Sequence, residues 1–340
     1  MSNTIARLAT AASTPRELPH WELDRLPASE PRIAVLIPCC NEAATIAKVI
    51  ADFQASLPRA QIYVYDNNSS DRTLLSARAA GAVVRKELLQ GKGHVVRRMF
   101  ADVDADLYVL VDGDDTYDAA AAPAMLTLLA EQCLDMVTAA RVTADQGAYR
   151  PGHRIGNRML SAVVRGVFGG RISDMLSGYR AFSRRFVKSF PALAGGFEIE
   201  TEFTVHALQL GMPVAEIAAT YRERPAGSKS KLHTWSDGLR ILRMVLVLIK
   251  EDYPLPFFAI AGATLLLSAL AIGASELMDF IRTGHVPRLP SVMLSTGFVL
   301  LSSLTLVCGM VLESVERGRK EIKRLAYLAM PRPSARQCPK

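Results

Sequence analysis

The chain is poor in the residues that build metal clusters and disulfide scaffolds. It has six histidines, two tryptophans and five cysteines in 340 residues. Cys39, Cys40, Cys133, Cys308 and Cys338 show neither paired zinc spacing nor a disulfide framework. Cys39 and Cys40 read as small residues after a core strand, as buried thiols usually are. His94, His206 and His233 make no metal spacing with one another and read as structural. The N-terminus lacks an apolar signal core, so no secretory signal peptide is expected, and a reducing compartment fits the main domain. Cationic blocks are also missing. The net charge is +7, but basic and acidic residues interleave until the end of the chain, so a nucleic-acid partner is not expected. No internal repeat or low-complexity tract occurs.

What is present is a regular alternation. Ile33–Ile37, Gln61–Tyr65, Ala82–Arg85, Leu107–Val111 and Asp135–Ala140 are short apolar runs of buried-strand type. The first is expected to stop at Pro38. Helical stretches separate them, at Ala43–Ala55, Arg72–Ala80, His94–Ala101 and Ala119–Gln132. Such alternation predicts βαβ units and a parallel sheet. Beyond Arg141 the rhythm loosens. Val142–His153 reads as a loop, Arg154–Phe168 and Phe197–Leu210 as helices, Ser177–Phe182 as a short strand or turn, and Val214–Tyr221 as a strand.

The strands end in polar clusters, where open α/β sheets bind their ligands. Asn41 and Glu42 follow the first strand. Asp66 ends the second, with Asn67–Asp71 as a turn rich in helix-capping residues. Gly91-Lys92-Gly93 opens a helix. Asp112-Gly113-Asp114-Asp115 ends the fourth strand. Hard divalent cations take carboxylate oxygens together with substrate phosphates, so this last cluster is read as a metal–diphosphate site. The alternative for it is an acidic turn. Lys92 between glycines can approach a phosphate at a helix N-terminus.

Phe257–Ser275 and Ser291–Leu312 carry no charged residue and each reaches the length of a bilayer crossing. Glu276–Pro290 is then a short hairpin. Trp235–Lys250 places Arg240, Arg243 and Lys250 in one sector of a helical wheel, as an interfacial helix does. Arg317, Arg319, Lys320, Lys323 and Arg324 follow the second span. The positive-inside rule assigns that tail, and with two spans the main domain and both termini, to the cytoplasm of an inner or plasma membrane protein. The expected organisation is an N-terminal arm (1–31), a main domain (32–232), an interfacial helix and linker (233–254), a two-helix hairpin (255–313) and a basic tail (314–340).

The series PCCNE, DNNSSDRT, GKG, DGDD and SGYRAFSR resembles the family 2 glycosyltransferases of the GT-A fold, over about Arg32–Leu232. With two C-terminal spans it is most similar to the polyprenyl-phosphate sugar synthases. The resemblance implies an α/β, Rossmann-like, mostly parallel sheet with helices on both faces. It implies a membrane-bound inverting transfer from a UDP- or GDP-hexose to polyprenyl phosphate, with Mg²⁺ or Mn²⁺ as cofactor. Pro38, Asn41, Glu42, Asp66, Lys92 and Asp112 would then bind the donor. Asp114, with Asp112, would bind the metal. Asp112, Asp114, Asp115 and Glu200 are the candidate catalytic residues, Glu200 chosen from Glu198, Glu200 and Glu202.

A phosphate acceptor has a second pKa near 6, so it is largely ionised at neutral pH and needs a cationic clamp more than a strong base. Arg154, Arg158, Arg180, Arg224, Lys229 and Lys231 are candidates. The resemblance favours Arg154 and Arg158, at i and i+4, and the loop with Arg224 and Lys229. Relatives often carry an acid where this chain has Asn67. A homo-oligomer is compatible with the resemblance. Two other readings are weighed. Processive polysaccharide synthases carry Gln-x-x-Arg-Trp, and neither Trp21 nor Trp235 follows an arginine. A non-catalytic membrane scaffold is disfavoured by the intact acidic cluster.

Overall fold

In a computed structural model, residues 31–142, 173–196, 198–222, 253–286 and 288–330 are described. Those from Arg32 on fall in one compact unit, Arg32–Lys340. Seven strands form one sheet: β1 (Ile33–Cys39), β2 (Gln61–Asp66), β3 (Val83–Lys86), β4 (Leu107–Leu110), β5 (Met136–Val142), β6 (Arg180–Ser183) and β7 (Val214–Thr220), in the order β3-β2-β1-β4-β6-β5-β7. All pairings are parallel except those of β6, which runs antiparallel to both β4 and β5. The chain leaves β1 toward β2 and β3, then returns to place β4 on the other side of β1. The β1–β4 crevice is therefore the topological switch point, where such sheets bind ligands.

The helices are α1 (Ile46–Ser56), α2 (Thr73–Ala79), α3 (Lys92–Asp102), α4 (Ala122–Glu131, after a 3₁₀ turn at Ala119–Ala121), α5 (Arg184–Ser189) and α6 (Ile199–Leu210). Side chains alternate faces along each strand. In β1, Ala34 and Leu36 enter one core with Val96, Met99, Phe186 and Phe203, while Val35 and Ile37 enter the other with Ile50, Phe53 and Met125. Burial on both faces explains why these strands read as unbroken apolar runs.

Two details depart from expectation. Pro38 does not end β1, which runs on to Cys39 beside Asp66. Leu36 O accepts from Val111 N–H, so alternation turns Pro38 toward β4 as well, and β4 ends at Leu110. The missing proline N–H therefore breaks no ladder bond. Cys133 is disulfide-bonded, whereas Cys39, Cys40 and Cys308 form no disulfide; a sequence without a disulfide framework does not reveal that bond. Sequence spacing does not fix which thiols meet in space.

Two further helices, α7 (Pro254–Thr283) and α8 (Leu289–Leu328), are long and apolar enough to cross a membrane. They pack through small residues. Ser302 Oγ donates to Gly262 O at 2.8 Å and Ser295 Oγ to Ala269 O at 2.8 Å. A Cβ on Gly309 would stand 2.9 Å from the Phe258 Cβ. Close approach over small residues is how helices associate in lipid, where no hydrophobic force draws them together. The hairpin expected from Glu276 is shorter than the sequence suggested, because α7 continues to Thr283 before Gly284 caps it in the left-handed region. The basic stretch is likewise no free tail at its start, since α8 runs unbroken through Arg317–Arg324.

The far end of α8 is fastened to the sheet domain. Asp135, fully buried, accepts from Ser183 Oγ (2.6 Å), from Arg185 (3.1 Å) and from the Tyr327 hydroxyl (2.8 Å). The Arg185 guanidinium lies over the Tyr327 ring at 4.8 Å, and Lys323 Nζ donates to Gln209 Oε1 at 3.1 Å.

Candidate active site

Three loops meet at the switch point. The loop after β1 carries Asn41 and Glu42, that after β2 carries Asn67–Asp71, and that after β4 carries Asp112–Asp115. Each holds one residue at positive φ: Asn41 (53°), Asn68 (60°) and Asp115 (58°). Asn and Asp tolerate this region better than other side chains.

Hydrogen bonds tie the first two loops together. Asn41 Oδ1 accepts from Ser70 N–H at 2.8 Å, Asn41 N–H donates to Ser69 Oγ at 2.8 Å, and Glu42 N–H donates to Thr73 Oγ1 at 2.8 Å. Asp71 accepts from Ala43 N–H and Thr73 N–H. Burial would raise its pKa, but these bonds outweigh burial and hold it below the usual carboxylate range. Asp71 is thus a loop brace, and the Asn41 side chain is engaged in the same work. Asp66 differs. It is 1% exposed; Oδ2 accepts from Ser69 N–H at 3.3 Å, and Oδ1 is buried without a partner.

Asn67 shows why an acid does not stand there. Its Nδ2 donates to Glu87 O and Leu89 O (3.1 and 2.8 Å), while its Oδ1 accepts from Gly91 N–H at 2.7 Å. An ionised Asp accepts only and would lose both donations.

Gly91-Lys92-Gly93 starts α3 two residues earlier than expected, with Lys92 as its first residue. The two glycines make room for the protein's own backbone: a Cβ on Gly91 would collide with Gly195 O, and one on Gly93 with Ala194 O. Glu202 holds that covering segment by accepting from Leu193 N–H and Ala194 N–H (2.9 and 2.8 Å). The glycines thus admit a strap of chain, a reason the sequence reading did not include.

Lys92 lies between two carboxylates. Its Nζ is 2.5 Å from Asp112 Oδ1 and 2.5 Å from Glu200 Oε1. Burial opposes its charge, but Asp112 and Glu200 outweigh burial and hold its pKa well above normal. Burial pushes Glu200 up, with Lys92 only partly offsetting it, and Glu200 Oε2 is buried without a hydrogen-bond partner. Of the three expected acids in this region, Glu200 is the one the structure joins to Asp112.

After β4 the acids separate by role. Asp114 is 4% exposed and its Oδ1 accepts from Thr116 Oγ1 at 2.6 Å. Asp115 Oδ1 is 2.7 Å from Lys48 Nζ, on α1. Thr45 Oγ1 donates to Gly113 O at 2.7 Å, which fixes the turn. Gly113 is required there, since a Cβ would lie 2.5 Å from Glu42 Oε2 and 2.7 Å from Cys39 Sγ.

The segment Ser177–Arg180 backs this cluster. A Cβ on Gly178 would collide with Asp112 Oδ2, and Gly178 N–H donates to the Tyr117 hydroxyl at 3.0 Å. Arg180 is corrected as a clamp candidate. It is fully buried and donates to Ser177 O (3.0 Å), Met175 O (2.6 Å) and Thr204 Oγ1 (2.9 Å). Burial lowers its pKa to about 10. Arg154, Arg158, Arg224, Lys229 and Lys231, and the helix expected at Trp235–Lys250, lie outside the described residues. Sequence reasoning missed Lys48, Tyr117 and Gly178. SGYR was the only signal near any of them.

A mostly parallel sheet with an acidic rim at its switch point is the architecture of α/β enzymes that bind their ligands beyond the strand ends. The model of glycosyl transferase family 2 matches residues 34–190. The glycosyltransferase AglJ of Haloferax volcanii is 30% identical over 87% of this chain and 98% of its own length. A dolichyl-phosphate hexose transferase of the same organism is 27% identical over 65% of this chain and 95% of its own length. A solved glucosyl-3-phosphoglycerate synthase of Mycobacterium tuberculosis, holding Mn²⁺, UDP and glucosyl-3-phosphoglycerate, superposes with a TM-score of 0.52 over 65% of this chain and 79% of its own, at 23% identity. The chain belongs to glycosyltransferase family 2 and has its GT-A fold. It is a glycosyltransferase.

Proposed function

We propose that this enzyme moves a hexose, with inversion, from a UDP- or GDP-linked donor to a polyprenyl phosphate in the membrane. The observation that carries this reading is the union, in one compact unit, of the Asp112–Lys92–Glu200 cluster with two helices able to cross a bilayer. The similarity to a dolichyl-phosphate hexose transferase supports a lipid-phosphate acceptor.

Each residue has a part. The unpartnered Asp66 Oδ1 suits a base N–H. Asp112 and Asp114 offer the hard oxygens a divalent ion prefers, and the Mn²⁺ in the structural relative agrees with that chemistry. They would hold Mg²⁺ or Mn²⁺, which when bound stabilises the departing diphosphate. Lys92 bridges Asp112 and Glu200 and offsets their mutual repulsion, as one positive charge between two negative ones. Glu200 orients the acceptor, whose phosphate is already anionic at neutral pH. Arg154, Arg158, Arg224 and Lys229 supply the clamp for it. Pro38, Asn41 and Glu42 shape the donor side. Catalytic domain and both termini face the cytoplasm in this reading.

The test is to incubate membranes carrying the enzyme with nucleotide sugars and polyprenyl phosphate. A lipid-linked monosaccharide from one donor is expected. Transfer only to a growing polysaccharide would overturn the reading.

A further inference from the structure

Glu276 lies in the hairpin, remote in sequence from every residue of the active site. It is 5% exposed, and among the described residues it makes no hydrogen bond or ion pair. It lines a cavity of about 300 Å³ between α7 and α8, with Gly273, Phe280, Val292, Ser295 and Thr296. A buried carboxylate without a partner is costly unless a ligand supplies one.

Among the described residues, the lining of the cavity accepts hydrogen bonds and has none to give. The Ser295 hydroxyl is spent on Ala269 O at 2.8 Å, and the Thr296 hydroxyl on Val292 O at 2.9 Å. The other lining side chains are apolar. An occupant must therefore bring the donor, and opposite a carboxylate a cationic donor gains most. Depth narrows the choice. Glu276 directly follows the charge-free stretch Phe257–Ser275, about 30 Å along α7 from its start, which is the thickness of a hydrocarbon core. The cavity thus stands at the distal headgroup level, and its size suits a small headgroup.

We propose that this cavity is a binding site for the primary ammonium of an aminophospholipid in the leaflet opposite the catalytic domain. The ammonium donates to the Glu276 carboxylate while the acyl chains remain in the bilayer beside the apolar faces of α7 and α8.

The full chain, purified in detergent, is exposed to phosphatidylethanolamine, phosphatidylcholine or phosphatidylglycerol, and retained lipid is counted by native mass spectrometry. Phosphatidylethanolamine should be retained on the order of tenfold better than phosphatidylcholine, whose quaternary ammonium has no N–H to donate. Glu276→Gln should erase that preference. So should Val292→Phe, which fills the cavity with Glu276 in place, and this variant decides the matter if Glu276→Gln does not fold. Free ethanolamine should not compete, because it lacks the chains. Equal retention of the three lipids by the wild type, or an unchanged preference in both variants, overturns the proposal. A lipid-free dimer that depends on Glu276 also overturns it in favour of a second copy. None of these readouts involves catalysis, so they stand apart from the test of the proposed reaction.

Discussion

The Tyr327 hydroxyl donates to Asp135 Oδ2 at 2.8 Å, across 192 residues of sequence. One residue belongs to the end of a helix that can cross a membrane; the other enters β5 at the base of the sheet. Catalytic domain and hairpin are thereby joined by a part-buried polar contact. Tyr327→Phe removes one of several bonds to Asp135 and should cost about 1 kcal/mol. Asp135→Ala removes the buried acceptor of Ser183, Arg185 and Tyr327 and leaves the half-buried Arg185 without its carboxylate, which should cost roughly 2–3 kcal/mol. Thermal unfolding of the full chain in detergent should rank the two in that order.

Asp114 and Asp115 are neighbours with different fates. Asp114→Ala should abolish transfer while the protein stays folded and membrane-bound. Asp115→Asn disrupts only an ion pair with the half-exposed Lys48 and should keep activity within a few-fold. Transfer rates at saturating Mn²⁺ separate them, and full activity in Asp114→Ala would sink the metal assignment.

Lys92→Met removes the charge that holds Glu200 down against burial. The Glu200 pKa should then rise further. Any residual activity should show an acid limb displaced to higher pH, with kcat lowered on the order of 100-fold or more. A reduced rate with an unmoved pH profile would limit Lys92 to donor binding.

His206 is buried against Phe186 and Phe190, and its pKa is lowered to about 3, by burial first and by the charge of Lys323 second. The unfolded chain binds a proton near pH 6.5 and the folded one does not. Stability should therefore fall as pH drops below about 6.5, by roughly 2 kcal/mol at pH 5, and level off near pH 3. His206→Gln should flatten that dependence in denaturant titrations at several pH values.

The strands around the switch point could be read from the sequence because burial on both faces leaves a continuous apolar run. Asp66, Asp112 and Asp114 could be found because each follows such a run directly. What could not be read depends on partners far away in the chain. Lys92 reads as a phosphate ligand, and its pairing with Glu200, 108 residues away, is invisible in the sequence. Arg180 reads as a free cation until Met175, Ser177 and Thr204 are seen to absorb its donors. The glycines of the GKG motif read as a phosphate cradle until the strap at Ala194–Gly195 fills the space above them. The sequence of β6 reads equally as strand or turn, because its antiparallel place is set by β4 and β5 and not by its own four residues.

That place has a consequence for synthesis. By the time Leu110 has emerged from the ribosome, β3, β2, β1 and β4 can already pair. The next strand to emerge, β5, finds no place beside them, since β6 separates it from β4. Met136–Val142 must wait for Arg180–Ser183, and the edge opposite β3 stays open until Val214–Thr220 arrives. Until β6 arrives, β4 exposes an unpaired edge. The nascent chain is most prone to mispairing there, and a translational pause between β5 and β6 would prolong the risk.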